Sequence, residues 1–237
     1  MIKDLMKKFI EESKHFLKIG IPIFGSQLSY MIMHTTDTIV SGQYDSKELA
    51  GLVLANAFTF PIYMLFQGIM FAITPIVAQL FGSREFQKIG QKMRQIFWVA
   101  IMNAFLVFFI FIFFGKILPY FRLEAVSVGM FFYIMFRFLS SYSEGMTLTL
   151  PVFYVVLFGA LINIPLDIIF AFGYFGVPEM GSAGCGYATS IISMIMFFLI
   201  LKIILSNKLY KKTELLKEFD GPSLRVTKEI LKLGIPI

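Results

Sequence analysis

Charge is scarce in this sequence. Only 15% of its 237 residues are charged, against about 25% in an ordinary soluble domain. The apolar fraction of 57%, the aromatic fraction of 17% and a mean hydropathy of +0.78 leave lipid as the solvent for most of the chain. Cysteine is nearly absent: Cys185 stands alone, which excludes an internal disulfide. Histidine is almost as sparse. His15 lies in a basic stretch and His34 has no partner at metal-ligand spacing, so neither indicates zinc. No small-residue cleavage site follows a short apolar stretch near the start, and the first apolar run therefore reads as an uncleaved anchor. The net charge of +6 comes from Lys and Arg gathered in a few segments without a base-reading motif, which argues against nucleic acid as a partner.

What is abundant is long apolar runs. A membrane span needs roughly 20 residues, and runs of that order occur at 19–41, 49–80, 96–118, 125–146, 151–175 and 183–205. The fold class expected is an all-α polytopic membrane protein, with six transmembrane helices forming one lobe and the start of a seventh. The second run, with Pro61 and Pro75, is overlong and expected to kink. Residues 1–18 mix Lys3, Lys7, Lys8, Lys14 and Lys18 with Leu5, Phe9, Ile10, Phe16 and Leu17, the pattern of a basic amphipathic helix at a membrane surface. The organisation is then a cytoplasmic amphipathic helix at 1–18, a six-helix lobe at 19–206, a basic cytoplasmic connection at 207–230 and the start of a second lobe at 231–237.

Orientation follows from the basic residues. Arg84, Lys88, Lys92 and Arg94 fill the second connection, and Lys208, Lys211, Lys212, Lys217, Arg225, Lys228 and Lys232 follow the sixth run. By the positive-inside rule both face the cytoplasm, which puts the amino terminus there too. The first connection has only Lys47, the third only Arg122 near Lys116, and 173–184 has no Lys or Arg, so these face outward. The fourth, 143–150, is expected inside although it has no basic residue.

An internal repeat links the two ends. Lys14-His-Phe-Leu-Lys-Ile-Gly-Ile-Pro-Ile23 returns as Lys228-Glu-Ile-Leu-Lys-Leu-Gly-Ile-Pro-Ile237, with seven of ten positions identical. The second copy follows an even number of spans and so enters from the same side, as in transporters built from parallel repeats. The stub after Gly234 is too short to cross a bilayer, and the expectation is that a further lobe has been cut off.

Two carboxylates lie within apolar runs, Asp37 and Asp167. Each costs roughly 2.5 to 3.5 kcal/mol at a helix centre on an insertion scale, which points to function. Tyr30 and Met33 share the helical face of Asp37, and Thr36 and Thr38 flank it. Asn163, four residues before Asp167, projects from the same face, with Pro165 between them. Pro165 leaves the carbonyl of residue 161 without a donor, so amide oxygen, carboxylate and freed carbonyl would make a hard-cation site. The same Asp could instead take up a proton, because burial disfavours its charged form. The residues leave sodium and proton both open, and leave open the blander reading of each Asp, one wetted at a span end and the other bonded to Asn163 for packing. The sixth run opens with Gly181, Gly184, Gly186 and Ala188-Thr189, small residues that allow close helix approach. Arg137, seven residues before Glu144, reads as structural in preference to a substrate contact. The 29 Phe and 14 Met suit lipid packing first and a lining for apolar cations second.

At these residues the chain resembles the multidrug and toxic compound extrusion family, and more its NorM-type branch than its DinF-type branch. The resemblance is carried by Gly20-Ile-Pro22 through Thr36-Asp-Thr-Ile-Val-Ser-Gly42, by Gly68 through Ala72-Ile-Thr-Pro-Ile-Val-Ala-Gln79 with Phe81-Gly82, by Asn163-Ile-Pro-Leu-Asp167, and by Gly173 to Thr189. It implies an antiporter of two six-helix lobes in a bacterial inner membrane, exporting organic cations against sodium or protons, with no cofactor and no enzymatic step. It implies that Asp37, Asn163, Asp167 and Thr189 form the cation or proton site, and that Pro22 and Pro165 mark helix bends. The chain departs from the family pattern in a short 119–144 stretch, in Thr147-Leu-Thr-Leu150 where basic residues are usual, and in the absence of a second lobe. Its partners would be the lipid bilayer, small organic cations, and a carboxy-terminal lobe or a second copy. The rival readings are a lipid-linked-precursor flippase, which would want more buried cations than Arg137, an inactive truncated product, and an intramembrane aspartyl protease, whose Gly-x-Gly-Asp context is missing around Asp167.

Overall fold

The computed structural model describes residues 2–117, 124–217 and 220–234. Among them the chain is almost entirely helical, with short connections and no strand. Helices α1 (Ile2–Tyr44), α2 (Ser46–Phe71), α3 (Ile73–Gly82), α4 (Phe86–Ile117), α5 (Glu124–Gly145), α6 (Thr149–Phe172) and α7 (Ser182–Ser206) build the bundle. A short α8 (Lys208–Lys211) and α9 (Leu224–Gly234) follow it. Helices stand at all six expected positions, α2 and α3 together making the second. Five are long and apolar enough to cross a membrane, and the chain is a multi-pass membrane protein. The remaining long helix, α5, carries Arg137, Glu144 and a run of serines, and packs against α2, α3, α4, α6 and α7.

Two expectations meet a different geometry and one is met. No boundary falls at residue 18, because α1 runs unbroken from Ile2 to Tyr44. Nothing in 2–19 breaks a helix, and α1 continues through Pro22, whose carbonyl accepts the Ser26 hydroxyl at 3.0 Å. At 1.5 Å per residue this helix is about 65 Å long, twice the hydrocarbon thickness of a bilayer. The second span does break, at Ala72, which separates α2 from α3. The cause is Pro75: it has no amide hydrogen and its ring crowds the carbonyl of Phe71, whereas α2 passes Pro61 intact. Lys88, Lys92 and Arg94 belong to the first turns of α4, and only Ser83, Arg84 and Glu85 form the second connection. The third connection, with Pro119 and Arg122, lies outside the described residues.

The core runs along α5, whose Ile134, Phe136 and Tyr142 share one buried apolar cluster with Met70, Ile73, Val77, Ile96 and Ile200. α6 lies between α1 and α7. The segment after α7 is held to the base of the bundle. The Tyr142 hydroxyl meets the Thr213 hydroxyl at 2.8 Å, and Arg94 Nε pairs with Asp220 at 2.7 Å. Trp98 Nε1 donates to the Asp220 carbonyl at 2.9 Å, and Lys92 pairs with Glu229. The boundary expected at residue 231 falls inside α9, and 235–237 lie outside the described residues.

Candidate functional site

The site forms where α1 ends, α6 ends and α7 begins. Its closeness depends on Gly184: a Cβ there would lie 2.6 Å from the Phe170 carbonyl carbon and 2.7 Å from the Ala171 nitrogen, so only glycine lets α7 approach the α6 backbone this far. The start of α7 is fixed from a second direction by Glu48 of α2, which accepts from the Ser182 amide at 3.2 Å and from its hydroxyl. Gly181, at φ +59°, turns the chain beside the Tyr44 ring.

On this frame the sequence candidates converge. Asn163 Nδ2 donates to Asp167 Oδ1 at 3.1 Å, and both residues are fully buried on α6. Asp37 reaches across from α1, and one ligand atom each from Asp37, Asp167 and Cys185 lie within 4.8 Å of one another. Four oxygens here are buried and without a hydrogen-bond partner among the described residues: Asp37 Oδ1, Asn163 Oδ1, Asp167 Oδ2 and Thr189 Oγ1. These belong to the four residues picked out from the sequence as the cation or proton site. A buried polar atom left unpaired costs on the order of 1 to 3 kcal/mol, and three of these oxygens belong to the Asp37, Asn163 and Asp167 cluster, while Thr189 lies one turn beyond Cys185 on α7. Two carboxylates so close repel unless a cation or a shared proton stands between them. The candidate donor set is all oxygen, of one amide, one hydroxyl and two carboxylates, a set of the kind that hard cations take.

In the sequence Cys185 speaks only against an internal disulfide. Its thiol faces Ser41 Oγ at 3.7 Å and the Asp37 carbonyl at 3.9 Å. With Val40, Ala171 and Phe172 it forms a small apolar cap over the site. A soft sulfur adds nothing for a hard cation, so Cys185 and Ser41 act as packing that holds Asp37 toward α7. The signal available in the sequence was the Gly184-Cys-Gly186 spacing, which marks small residues at a close approach without naming its partner. Pro165 sits in α6 between Asn163 and Asp167, yet it and Leu161 lie on the exposed side of the helix while the two polar side chains are buried. The carbonyl that Pro165 leaves without a donor belongs to that outer side, away from the cluster.

A second polar group lies deeper in the lobe. Arg137 is only 2% exposed, 3.9 Å from Glu144 and stacked at 4.6 Å over the Phe71 ring. The Tyr63 hydroxyl donates to that of Tyr133 at 2.5 Å, and Tyr30, two turns before Asp37, meets the Tyr133 ring edge-on. Arg137 is thus held within the lobe and does not reach out to a headgroup.

The model of the MatE family matches residues 22–169, more than half of the chain and the whole α1–α6 part of the site. Solved structures with the same arrangement include a multidrug resistance MATE family transporter of the MOP superfamily in an outward-facing conformation, at TM-score 0.77 and 19% identity over 94% of this chain and 51% of that one. The eukaryotic MATE transporter AtDTX14 matches at 0.75 and 18% over 96% of this chain and 52% of that one. The Vibrio cholerae MATE transporter VcmN in its bent form matches at 0.74 and 17%, over 92% and 51%. The chain spans about half the length of each of these structures.

Proposed function

The chain belongs to the MatE family, and from that membership we propose that it is the amino-terminal lobe of an exporter that moves organic cations outward against sodium or protons. The observation that carries this reading is the set of unpartnered buried oxygens on Asp37, Asn163 and Asp167, with that of Thr189 one turn beyond Cys185 on α7. In this reading the ion binds between Asp37 and Asp167 while Asn163 and Thr189 supply neutral oxygens. The bound charge draws α1 toward α6 and α7. Loss of the ion leaves two facing negative charges, and α1 answers at Pro22, where the missing amide makes the helix easiest to bend. Coupling requires that the ion bind the two shapes of α1 with different affinity. The membrane is then a bacterial inner membrane, the amino terminus is cytoplasmic, and the branch is the NorM type.

The test is equilibrium binding of radioactive sodium to the full chain in lipid nanodiscs, across a pH series. Saturable binding that weakens as pH falls, and is lost in both Asp37→Asn and Asp167→Asn, supports a carboxylate site that sodium and protons share. Absence of sodium binding, with proton uptake on acidification lost in the same variants, selects the proton. If sodium binding and proton uptake are both unchanged in both variants, the reading is wrong.

A further inference from the structure

A sodium or proton reading gives Cys185 no chemical part, yet its sulfur stands beside the two carboxylates. One oxygen each of Asp37 and Asp167 and the Cys185 sulfur lie within 4.8 Å of one another, and the three residues come from α1, α6 and α7. Asn163 Nδ2 occupies Asp167 Oδ1, which leaves Asp167 Oδ2 buried with no hydrogen-bond partner among the described residues, and Asp37 Oδ1 is in the same condition. The sulfur has only long polar contacts, to Ser41 Oγ at 3.7 Å and to the Asp37 carbonyl at 3.9 Å. Asp167 and Cys185 are 0% and 1% exposed whereas Asp37 is half-buried, so an ion enters past Asp37. Val40, Ala171 and Phe172 pack on the sulfur side, and an apolar shell of this kind limits competing water.

We propose that Asp37, Asp167 and Cys185 form a site for a thiophilic divalent cation of the zinc and cadmium class, which clamps α1 to α6 and α7 and shuts out the monovalent ion. A hard ion takes the oxygens and ignores the sulfur, whereas a borderline-soft ion binds both. Three protein ligands with water in a fourth position is an arrangement that zinc adopts, and its bond lengths set neighbouring ligand atoms about 3.5 Å apart. Rotation of the two carboxylates brings the present atoms to that spacing. Two carboxylates and a thiolate carry three negative charges, which attract a divalent ion more strongly than a monovalent one. On binding, the S–H bond breaks, a sulfur–metal bond forms and the proton passes to water, with no change of oxidation state. Ser41 Oγ stands where it can donate to the thiolate so formed. The same carboxylates cannot then serve sodium, so the metal inhibits by occupying the site. The proposal rests on the reading of Asp37 and Asp167 as a cation site and adds the sulfur, on which that reading does not depend.

The test is a titration of the full chain in lipid nanodiscs with cadmium chloride, read by the ultraviolet charge-transfer absorption of a cadmium–thiolate bond. Cys185 is the only cysteine, so the band reports this sulfur. The expected result is a saturable band that Asp37→Asn and Asp167→Asn shift to much higher cadmium, together with displacement of radioactive sodium by cadmium from the unaltered chain. Cys185→Ser exchanges sulfur for oxygen at nearly the same size. It should keep its sodium binding, which also certifies its fold, and need at least about tenfold more cadmium to displace the sodium, since even supporting residues of metal sites contribute that much. Should Cys185→Ser misfold, Cys185→Ala takes its place with the same readout. A band of unchanged midpoint in both Asp variants would mean that cadmium takes the thiol alone. No band, or equal displacement of sodium by cadmium in Cys185→Ser, would mean that the sulfur takes no part. Each of these results overturns the proposal. The band is read in sodium-free buffer, so a chain that binds no sodium still tests the metal site, and the two readings fail separately.

Discussion

Gly184 and Thr189 lie on the same helix, one setting the distance between α6 and α7 and the other offering an oxygen in the proposed ion site. Substituting Gly184→Val puts atoms where the Phe170 and Ala171 backbone stands, and backbone cannot swing aside as a flexible side chain does. Overpacking of this kind costs about 1 to 3 kcal/mol, and the same displacement carries Thr189 away from Asp37 and Asp167. The expected outcome is a lower unfolding midpoint in nanodiscs together with weaker sodium or proton binding. A variant that loses stability while keeping its affinity would separate helix approach from site geometry. Thr189→Ala leaves the backbone alone and removes a single neutral oxygen. It should weaken ion binding several-fold without moving the midpoint of the ion-free protein, as a titration and a thermal scan on one sample would show. Ser193, one turn further along the helix, differs in that its hydroxyl already donates to the Thr189 carbonyl at 2.8 Å.

Among the elements, α5 carries the largest electrostatic load. Arg137 and Glu144 lie at 2% and 15% side-chain exposure, 3.9 Å apart. Removing one member of a buried pair strands the other, typically at about 3 to 5 kcal/mol, whereas removing both can be nearly neutral. Arg137→Met should therefore destabilise the lobe severely, and adding Glu144→Gln should restore most of the loss. If the double variant is as unstable as the single one, Arg137 works through Tyr30 and Phe71 and the pair with Glu144 contributes nothing. This network is hard to read from the sequence because its members come from three helices: Tyr133 and Arg137 share a face of α5 at a spacing of four, but nothing in the sequence joins them to Tyr30 of α1 or Tyr63 of α2. Asn163 and Asp167 were legible for the opposite reason: four residues on one helix share a face whatever the rest of the fold does. The spans themselves were legible because lipid demands long apolar runs. Helix breaks were less so. Pro22, Pro61 and Pro75 look alike in sequence, and of the three only Pro75 stands beside an interruption of the helix. The connection after α7 reads as a basic loop, while its docking depends on Asp220, Thr213 and Glu229 finding Arg94, Tyr142 and Lys92, each distant in sequence.

At the scale of the whole molecule, binding and transport separate. Every oxygen of the proposed ion site comes from α1, α6 and α7 of this one lobe, so the chain should bind its ion unaided. Export asks for more, since rocking transport needs a second body to move against and a binding space enclosed between the two. The expectation for the purified chain in proteoliposomes is a split result. Its thermal unfolding should shift upward with sodium or with acid, by about 2.7 kcal/mol at a hundredfold excess over the dissociation constant, and the shift should vanish in Asp167→Asn. In the same vesicles an imposed sodium or proton gradient should drive no efflux of a fluorescent organic cation above the rate in empty vesicles. Gradient-driven efflux by the chain alone, lost in Asp167→Asn, would mean that copies assemble into a working carrier.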